Sequence, residues 1–394
     1  MIDTPERIIS RDFLFLCAAG LGFFGSFMLL LAVLPLYMSD LGGSDSAIGL
    51  VIGVFAISAL FPRPFIGREI DRGGGKRFML AGAAVFVVAS GLYVIATSVP
   101  LLFGVRILHG IGMALFTTAA FAMVADLAPA SRRGEALGLW GTVPTLGSAI
   151  APFLGLMIRD RYGYNTVFII SACCAFVALT LVFFLREPHK EHHAGAADAG
   201  LIEKSVLFPA VLVMSMTFIF GAVSSFVLLF AEDRGIDNAG LYFTASAGAV
   251  VVSRLFGGKL SDRHGRWAVI LPSMACMSAG VALLSQSNSL TVLLLGAGLI
   301  GLAFGGGFPA LSALAVDVAP AGRTGAAMGT FSASFEVGIG TGAIVMGLIA
   351  TFTGYSTMFL IGAAFPAAGM LLAWGKTRPG CSAHLSGQPR SSAD

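Results

Sequence analysis

Two ionisable side chains stand deep inside apolar runs: Arg106, in RILHGIG, and Glu336, in FSASFEVGIG. A charge at the centre of an apolar helix costs about 2.5–3.5 kcal/mol on insertion scales, so such groups face a protein interior or a watery cavity. A carboxyl at Glu336 can be neutral when open to one aqueous side and ionised when open to the other. That is the chemistry of proton uptake and release. A buried arginine stays protonated and favours the charged form of a nearby carboxyl. His109 follows Arg106 by three residues and shares nearly the same helical face. Its imidazole can relay protons, or simply hydrogen-bond within the packing. No nucleophile and base stand together with these groups. The cysteines at 17, 173, 174, 276 and 381 are scattered without disulfide or metal spacing, so no cofactor and no metal is expected.

The elements that position these groups follow from composition. The 394 residues are 56% hydrophobic and only 11% charged, with a mean hydropathy of +0.88. Soluble domains carry roughly 25% charged residues, so the medium around this core is lipid. Uncharged runs such as 13–39, 78–105 and 205–231 exceed the ~20 residues that a helix needs to cross a bilayer. They show no period-two alternation, so helices and not barrel strands satisfy the backbone. Twelve spans are expected, near 12–38, 46–66, 78–98, 101–125, 136–158, 164–185, 206–230, 239–257, 268–286, 290–316, 326–350 and 355–375. If both termini are cytoplasmic, the outer loops hold only Arg159, Arg161 and Arg234. With those and Arg106 set aside, the other 20 of 24 basic residues face the cytoplasm. The net charge of +3 therefore marks a membrane surface, and no nucleic-acid partner is expected.

The chain also repeats itself. A shift of 191 residues, without gaps, lays Arg63 on Arg254, Gly67 on Gly258, Asp71 on Asp262, Arg72 on Arg263, Gly74 on Gly265, Gly110 on Gly301, Asp126 on Asp317, Pro129 on Pro320 and Arg132 on Arg323. The unit is six helices, and an even number of crossings gives both copies one orientation. The expected organisation is a bundle over 1–186, a polar cytoplasmic linker over 187–205, a second bundle over 206–376 and a disordered tail over 377–394. The linker histidines, His189, His192 and His193, fit a solvated hinge.

Parallel six-helix repeats resemble the major facilitator superfamily, for which such repeats are typical. The stretch GREIDRGGGKR resembles the family's signature between the second and third helices, through Gly67, Asp71, Arg72, Gly74, Lys76 and Arg77. Gly75 departs from the usual arginine, which Arg266 keeps in the second copy. The resemblance implies a cytoplasmic gate that latches an outward-facing state, made of these residues with Asp126, Arg132, Gly258, Asp262, Arg263, Arg266, Asp317 and Arg323. Glycines 67 and 74 would permit close backbone approach and a tight turn. Ordinary positive-inside anchoring explains Lys76 and Arg77 but not the repeated aspartates. Arg106, Gly110 and Gly112 resemble a helix-four motif tied to proton coupling. Gly147, Pro152 and Gly155, in GSAIAPFLG, resemble the antiporter motif, with Ala151 in place of its central glycine. Pro309, in GGGFP, kinks the tenth helix.

The fold expected is an all-α membrane protein of twelve transmembrane helices in two pseudo-symmetric bundles, with Phe23, Phe27, Thr117, Met214, Thr217, Phe218 and Ser312 lining a central cavity. The function expected is proton-coupled efflux of a small, amphiphilic compound by a monomer in the inner membrane. The partners are then the small-molecule substrate, protons and the lipid bilayer. A proton-coupled importer is the alternative, and a membrane-embedded sensor or enzyme is more remote.

Overall fold

The computed structural model describes residues 10–129, 132, 136, 139–187, 203–320 and 323–377, without the side chains of residues 71, 149, 259, 262, 324–326, 376 and 377. The linker histidines and the tail lie outside the described residues. The described residues are mostly helical, with no strand among them. Ten stretches are long and apolar enough to cross a membrane. In chain order the helices are α1 (Arg11–Asp40), α2 (Asp45–Leu60), α3 (Arg63–Gly73), α4 (Lys76–Leu92), α5 (Val99–Leu127), α6 (Thr142–Tyr162), α7 (Tyr164–Phe184), α8 (Leu207–Asp233), α9 (Leu241–His264), α10 (Trp267–Ser285), α11 (Leu290–Asp317) and α12 (Thr324–Thr377). α2 and α3 together form one span over Asp45–Ile70. α4, at 17 residues, is about 25 Å long at 1.5 Å per residue. α12 is 54 residues long and breaks at Gly354, which has a φ of 75°. The ends of the bundle are called outer and cytoplasmic after the charge bias above.

Local chemistry sets these boundaries. Ser10, Ser44 and Ser289 cap α1, α2 and α11 by accepting a backbone N–H, and Leu290 opens α11 immediately after its cap. Glycines in the left-handed region end the helices in matched pairs. Gly74 and Gly265 have φ of 83° and 87°, and Gly163 and Gly354 have 81° and 75°. Each pair obeys the 191-residue shift. So do the turns Pro129–Arg132 and Pro320–Arg323, each closed by an arginine N–H on a proline carbonyl. The repeat is thus written into the backbone as well as the side chains.

One expectation about the charged stretch needs correction. It is not a loop: helix continues through Gly73, and only Gly74 and Gly75 turn the chain. A side chain at Gly67 or Gly258 would meet open space, so neither glycine mediates a close approach here.

The buried core divides unevenly. One cluster joins the outer parts of α1, α2, α5, α6 and α7, through residues such as Leu34, Ile48, Leu102, Leu156 and Phe168, to the core of α8–α12. A second cluster holds only the cytoplasmic parts of α1–α7, around Phe23, Phe86, Phe116 and Trp140. The two halves therefore share apolar packing at the outer end and keep separate cores at the cytoplasmic end.

Candidate functional site at the seams between the halves

Two seams join the halves. The first sets α2 and α3 against α12. Gly49 and Gly53 lie four residues apart and so on one helical face. A side chain at Gly53 would come within 2.7 Å of the Gly340 carbonyl, one at Gly347 within 2.6 Å of the Asp45 carbonyl, and one at Gly49 would strike the Ala343 carbonyl. Small residues thus let two backbones touch, as they do between helices in lipid. Polar pins hold the outer end. Tyr355 donates to Asp45 at 2.6 Å, and the Ser46 N–H and hydroxyl meet Thr351 Oγ1 at 3.1 and 2.8 Å.

Deeper in this seam, Arg63 Nη2 donates to Glu336 Oε1 at 2.7 Å. The side chains are 25% and 17% exposed, which places the pair largely out of water, where a charge-assisted bond is strong and loss of one partner is costly. Arg63 Nε is held by the Ala59 carbonyl at 3.3 Å, one turn earlier in its own chain. Glu336 is therefore not an isolated carboxyl. Its partner is an arginine that reads in sequence as a mere span-end anchor.

The second seam sets α9 against α6, and the repeat makes it the first seam's counterpart. The shift that carries Arg63 onto Arg254 also carries Thr145 onto Glu336. Arg254 Nη1 donates to Thr145 Oγ1 at 2.8 Å. The same cross-half contact is thus made twice, once to a carboxylate and once to a hydroxyl. Arg254 Nε is buried with no hydrogen-bond partner. At the outer end Gly240 corresponds to Gly49 and Leu156 to Gly347. A side chain at Gly240 would come within 2.6 Å of Leu156 Cδ1, not of a backbone. Nearby, Arg159 of α6 pairs with Glu232 of α8 at 3.1 Å.

Arg106 is 2% exposed and lies with its guanidinium 4.3 Å from the centre of the Phe55 ring. Its Nε and Nη1 have no hydrogen-bond partner. His109 is fully buried; its Nδ1 is 3.1 Å from the Tyr93 hydroxyl, and its Nε2 is unpartnered. Its ring stands edge-on to Phe86 at 4.0 Å. Arg106 and His109 thus share one aromatic pocket in the first half.

Of the expected cavity residues, Phe27, Met214 and Ser312 are partly exposed. The other four are buried in the packing. Phe23 is stacked between Phe86 and Phe116, both at 3.8 Å. Phe218 stacks on Phe365 at 4.2 Å. Thr117 and Thr217 donate to carbonyls of their own helices, of Met113 and of Val213. A partly exposed aromatic group went unforeseen. Phe220, Phe304, Phe308 and Phe335 form a chain of rings, with centres 4.9 Å apart from Phe220 to Phe304, 5.6 Å from Phe304 to Phe308 and 5.3 Å from Phe308 to Phe335.

Several cytoplasmic charges pair within one half or with the linker. Glu69 takes Arg72 at 3.1 Å and Arg77 at 3.7 Å. Arg266 takes Asp317 at 2.9 Å. Its counterpart Gly75 cannot, and Lys76 does not replace it: Lys76 Nζ donates to the Phe183 carbonyl at 2.8 Å and its N–H to Glu187 at 3.0 Å. Arg323 pairs with Glu203 at 2.9 Å. The Ser205 N–H and hydroxyl, then Arg323, hold the Glu203 carboxyl below its ordinary value. The side chains of Asp71 and Asp262 lie outside the described residues. Along α6, a side chain at Gly155 would come within 2.7 Å of the Leu29 carbonyl, and one at Gly147 within 3.6 Å of Gly25. The face around Pro152 therefore closes on α1. Pro309 stands inside α11 without ending it.

A family model described as Major Facilitator Superfamily matches residues 15–287 and again 210–393. The staphylopine export protein of Staphylococcus aureus is 26% identical over 368 residues, which cover 89% of this chain and 92% of that one. Multidrug resistance protein 2 of Bacillus subtilis is 29% identical over 307 residues, covering 73% and 74%. A solved structure of the nucleoside transporter NupG superposes with a TM-score of 0.79 at 14% identity, covering 93% of this chain and all of that one.

Proposed function

The chain belongs to the major facilitator superfamily and is a multi-pass membrane transporter, not an enzyme; on that premise we propose that it exports a small compound in exchange for protons. Twelve crossings serve this reading: α2 with α3 is one, α4 is another, and α12 supplies two, one on each side of Gly354. Both termini then lie in the cytoplasm, at the inner membrane, and one chain suffices.

The observation that carries the reading is the Arg63–Glu336 pair. Among the described residues Glu336 is the carboxylate that lies away from the span ends, and its partner lies in the opposite half. When ionised it binds the halves together through Arg63. When protonated it loses the charge that makes the bond strong. Proton binding thus changes the free energy of one arrangement of the halves relative to the other, which is the requirement for coupling. The outer ends share a core and the cytoplasmic ends do not, so this arrangement suits a carrier that has released its proton inward and awaits cargo. One charge crossing 100 mV supplies about 2.3 kcal/mol to the cycle. In this reading Arg106 and His109 steady the proton path, and Arg266, Asp317 and their neighbours form the cytoplasmic gate. The names of the staphylopine exporter and the multidrug resistance protein support the outward direction.

Everted vesicles loaded by an inward-acidic gradient test this. The expected result is substrate accumulation that Glu336→Gln abolishes, while gradient-free exchange of substrate persists. Gradient-driven accumulation unchanged in Glu336→Gln ends the coupling role, and uptake confined to whole cells turns the direction to import.

A further inference from the structure

The repeat that makes the two seams equivalent leaves them unequal in charge. Among the described residues, and leaving aside charges close to a span end, Arg63, Arg106 and Arg254 lie within the spans and the carboxylate there is Glu336, which Arg63 engages. A cation in hydrocarbon ordinarily has a partner, and a buried donor left unmade is costly. Arg254 has a hydroxyl where its counterpart has a carboxylate, and its Nε is buried with no hydrogen-bond partner. It is partly buried, at the boundary between halves whose cytoplasmic cores are separate. Arg106 differs: it is 2% exposed within the first half and covered by Phe55. Of the two, only Arg254 lies at the boundary between the halves and is partly exposed.

The surroundings specify more than charge. Next to Arg254, Ser253 donates to the Leu302 carbonyl at 2.7 Å, which fixes α9 on α11 at this depth. Phe304 follows two residues later and begins the partly exposed chain of rings that runs to Phe308 and Phe335. A cation and an aromatic surface are therefore presented at one level by adjacent helices.

We propose that Arg254, steadied by Thr145, binds the carboxylate of the transported compound, so that the cargo is an organic acid with an apolar or aromatic body. This rests on the transporter reading above. The guanidinium takes from the cargo the partner that Glu336 supplies at the first seam. Its planar fork suits a carboxylate held in two-point contact. The body of the acid lies against Phe304 and Phe308.

The test uses the purified full chain in detergent and three probe sets built on the same ring systems. These are 1-naphthoate and indole-3-acetate, their uncharged amides, and the corresponding amines. Binding is measured by calorimetry. The acids are expected to bind roughly tenfold more tightly than the amides, the size of one charge-assisted bond. Arg254→Gln, and Thr145→Glu, which gives Arg254 an internal carboxylate, are expected to erase that difference. Arg254→Lys, which keeps the charge but loses the fork, is expected to retain part of it and guards against a variant that merely misfolds. Equal binding of acid, amide and amine, no binding by any, or an acid preference intact in Arg254→Gln overturns the proposal. Proteoliposome exchange separates the two readings. Exchange of amides with no acid preference removes the anion site and leaves the transporter standing. Acid binding without any exchange removes the cargo role together with the transport reading.

Discussion

The α2–α12 seam and the α6–α9 seam occupy equivalent places in a duplicated chain and are built on different terms. At the first, Gly49, Gly53, Gly340 and Gly347 bring backbones into contact, and an arginine meets a carboxylate. At the second, the same positions are Gly240, Thr244, Ala149 and Leu156, and the arginine meets a threonine. The difference assigns two tasks. The glycine seam can slide only as two smooth surfaces do, and its strength follows the protonation of Glu336. The other seam is spaced by the Leu156 side chain and holds a cation that has no acid of its own. The repeat supplies the frame, and at position pairs such as 145 and 336 only one side of the frame carries a carboxylate.

Matched substitutions probe this contrast. The largest difference is expected between Arg63→Ala and Arg254→Ala. The first leaves Glu336 unpaired and should lower stability by about 3 kcal/mol, whereas the second removes a cation that lacks an acid partner and should cost little or nothing. Thermal melting of the solubilised protein compares them, with Arg63→Ala combined with Glu336→Gln expected to recover most of the loss. Equal melting of the two single variants would erase the distinction. Next comes the pair Gly49→Ala and Gly240→Ala. The new methyl meets a carbonyl at Ala343 in one case and the movable tip of Leu156 in the other. The expected costs are about 2 kcal/mol and under about 0.5 kcal/mol, because overpacking is severe only where the neighbour cannot yield.

The smallest effect lies off both seams. Glu203 has its carboxyl held below the ordinary value by Ser205 and Arg323. A group depressed in the folded state contributes stability that is fully present above its unfolded value and is lost as pH falls through its folded one. Glu203→Gln should therefore melt slightly below wild type at pH 7 and converge with it in acid. Parallel curves across that range would show that this pair plays no part.

Much of the architecture is legible in the sequence because lipid permits so little else: long uncharged runs have to be helices, and one shift shows the repeat. Arg106 and Glu336 are conspicuous for the same reason. The partner of Glu336 is less visible, since Arg63 stands 273 residues away in the chain and resembles an anchor at a span end. The shift that pairs Arg63 with Arg254 also pairs Glu336 with Thr145, but it acquires meaning only when α2 is known to face α12. Cavity residues such as Phe23 and Phe218 are misjudged because these helices are apolar on every side, so periodicity does not show which face is buried in a bundle. The cluster from Phe220 to Phe335 is hidden likewise, as its members come from three helices.

Each half ends in two helices joined by one glycine, Gly163 or Gly354. A single residue bridges only about 3.5 Å, too little to let the outer tips drift apart. The outer tip of the seam limb of α12 therefore carries the tip of the limb beyond Gly354 with it, so the two limbs are tethered at the outer end and free to change their angle only about that joint.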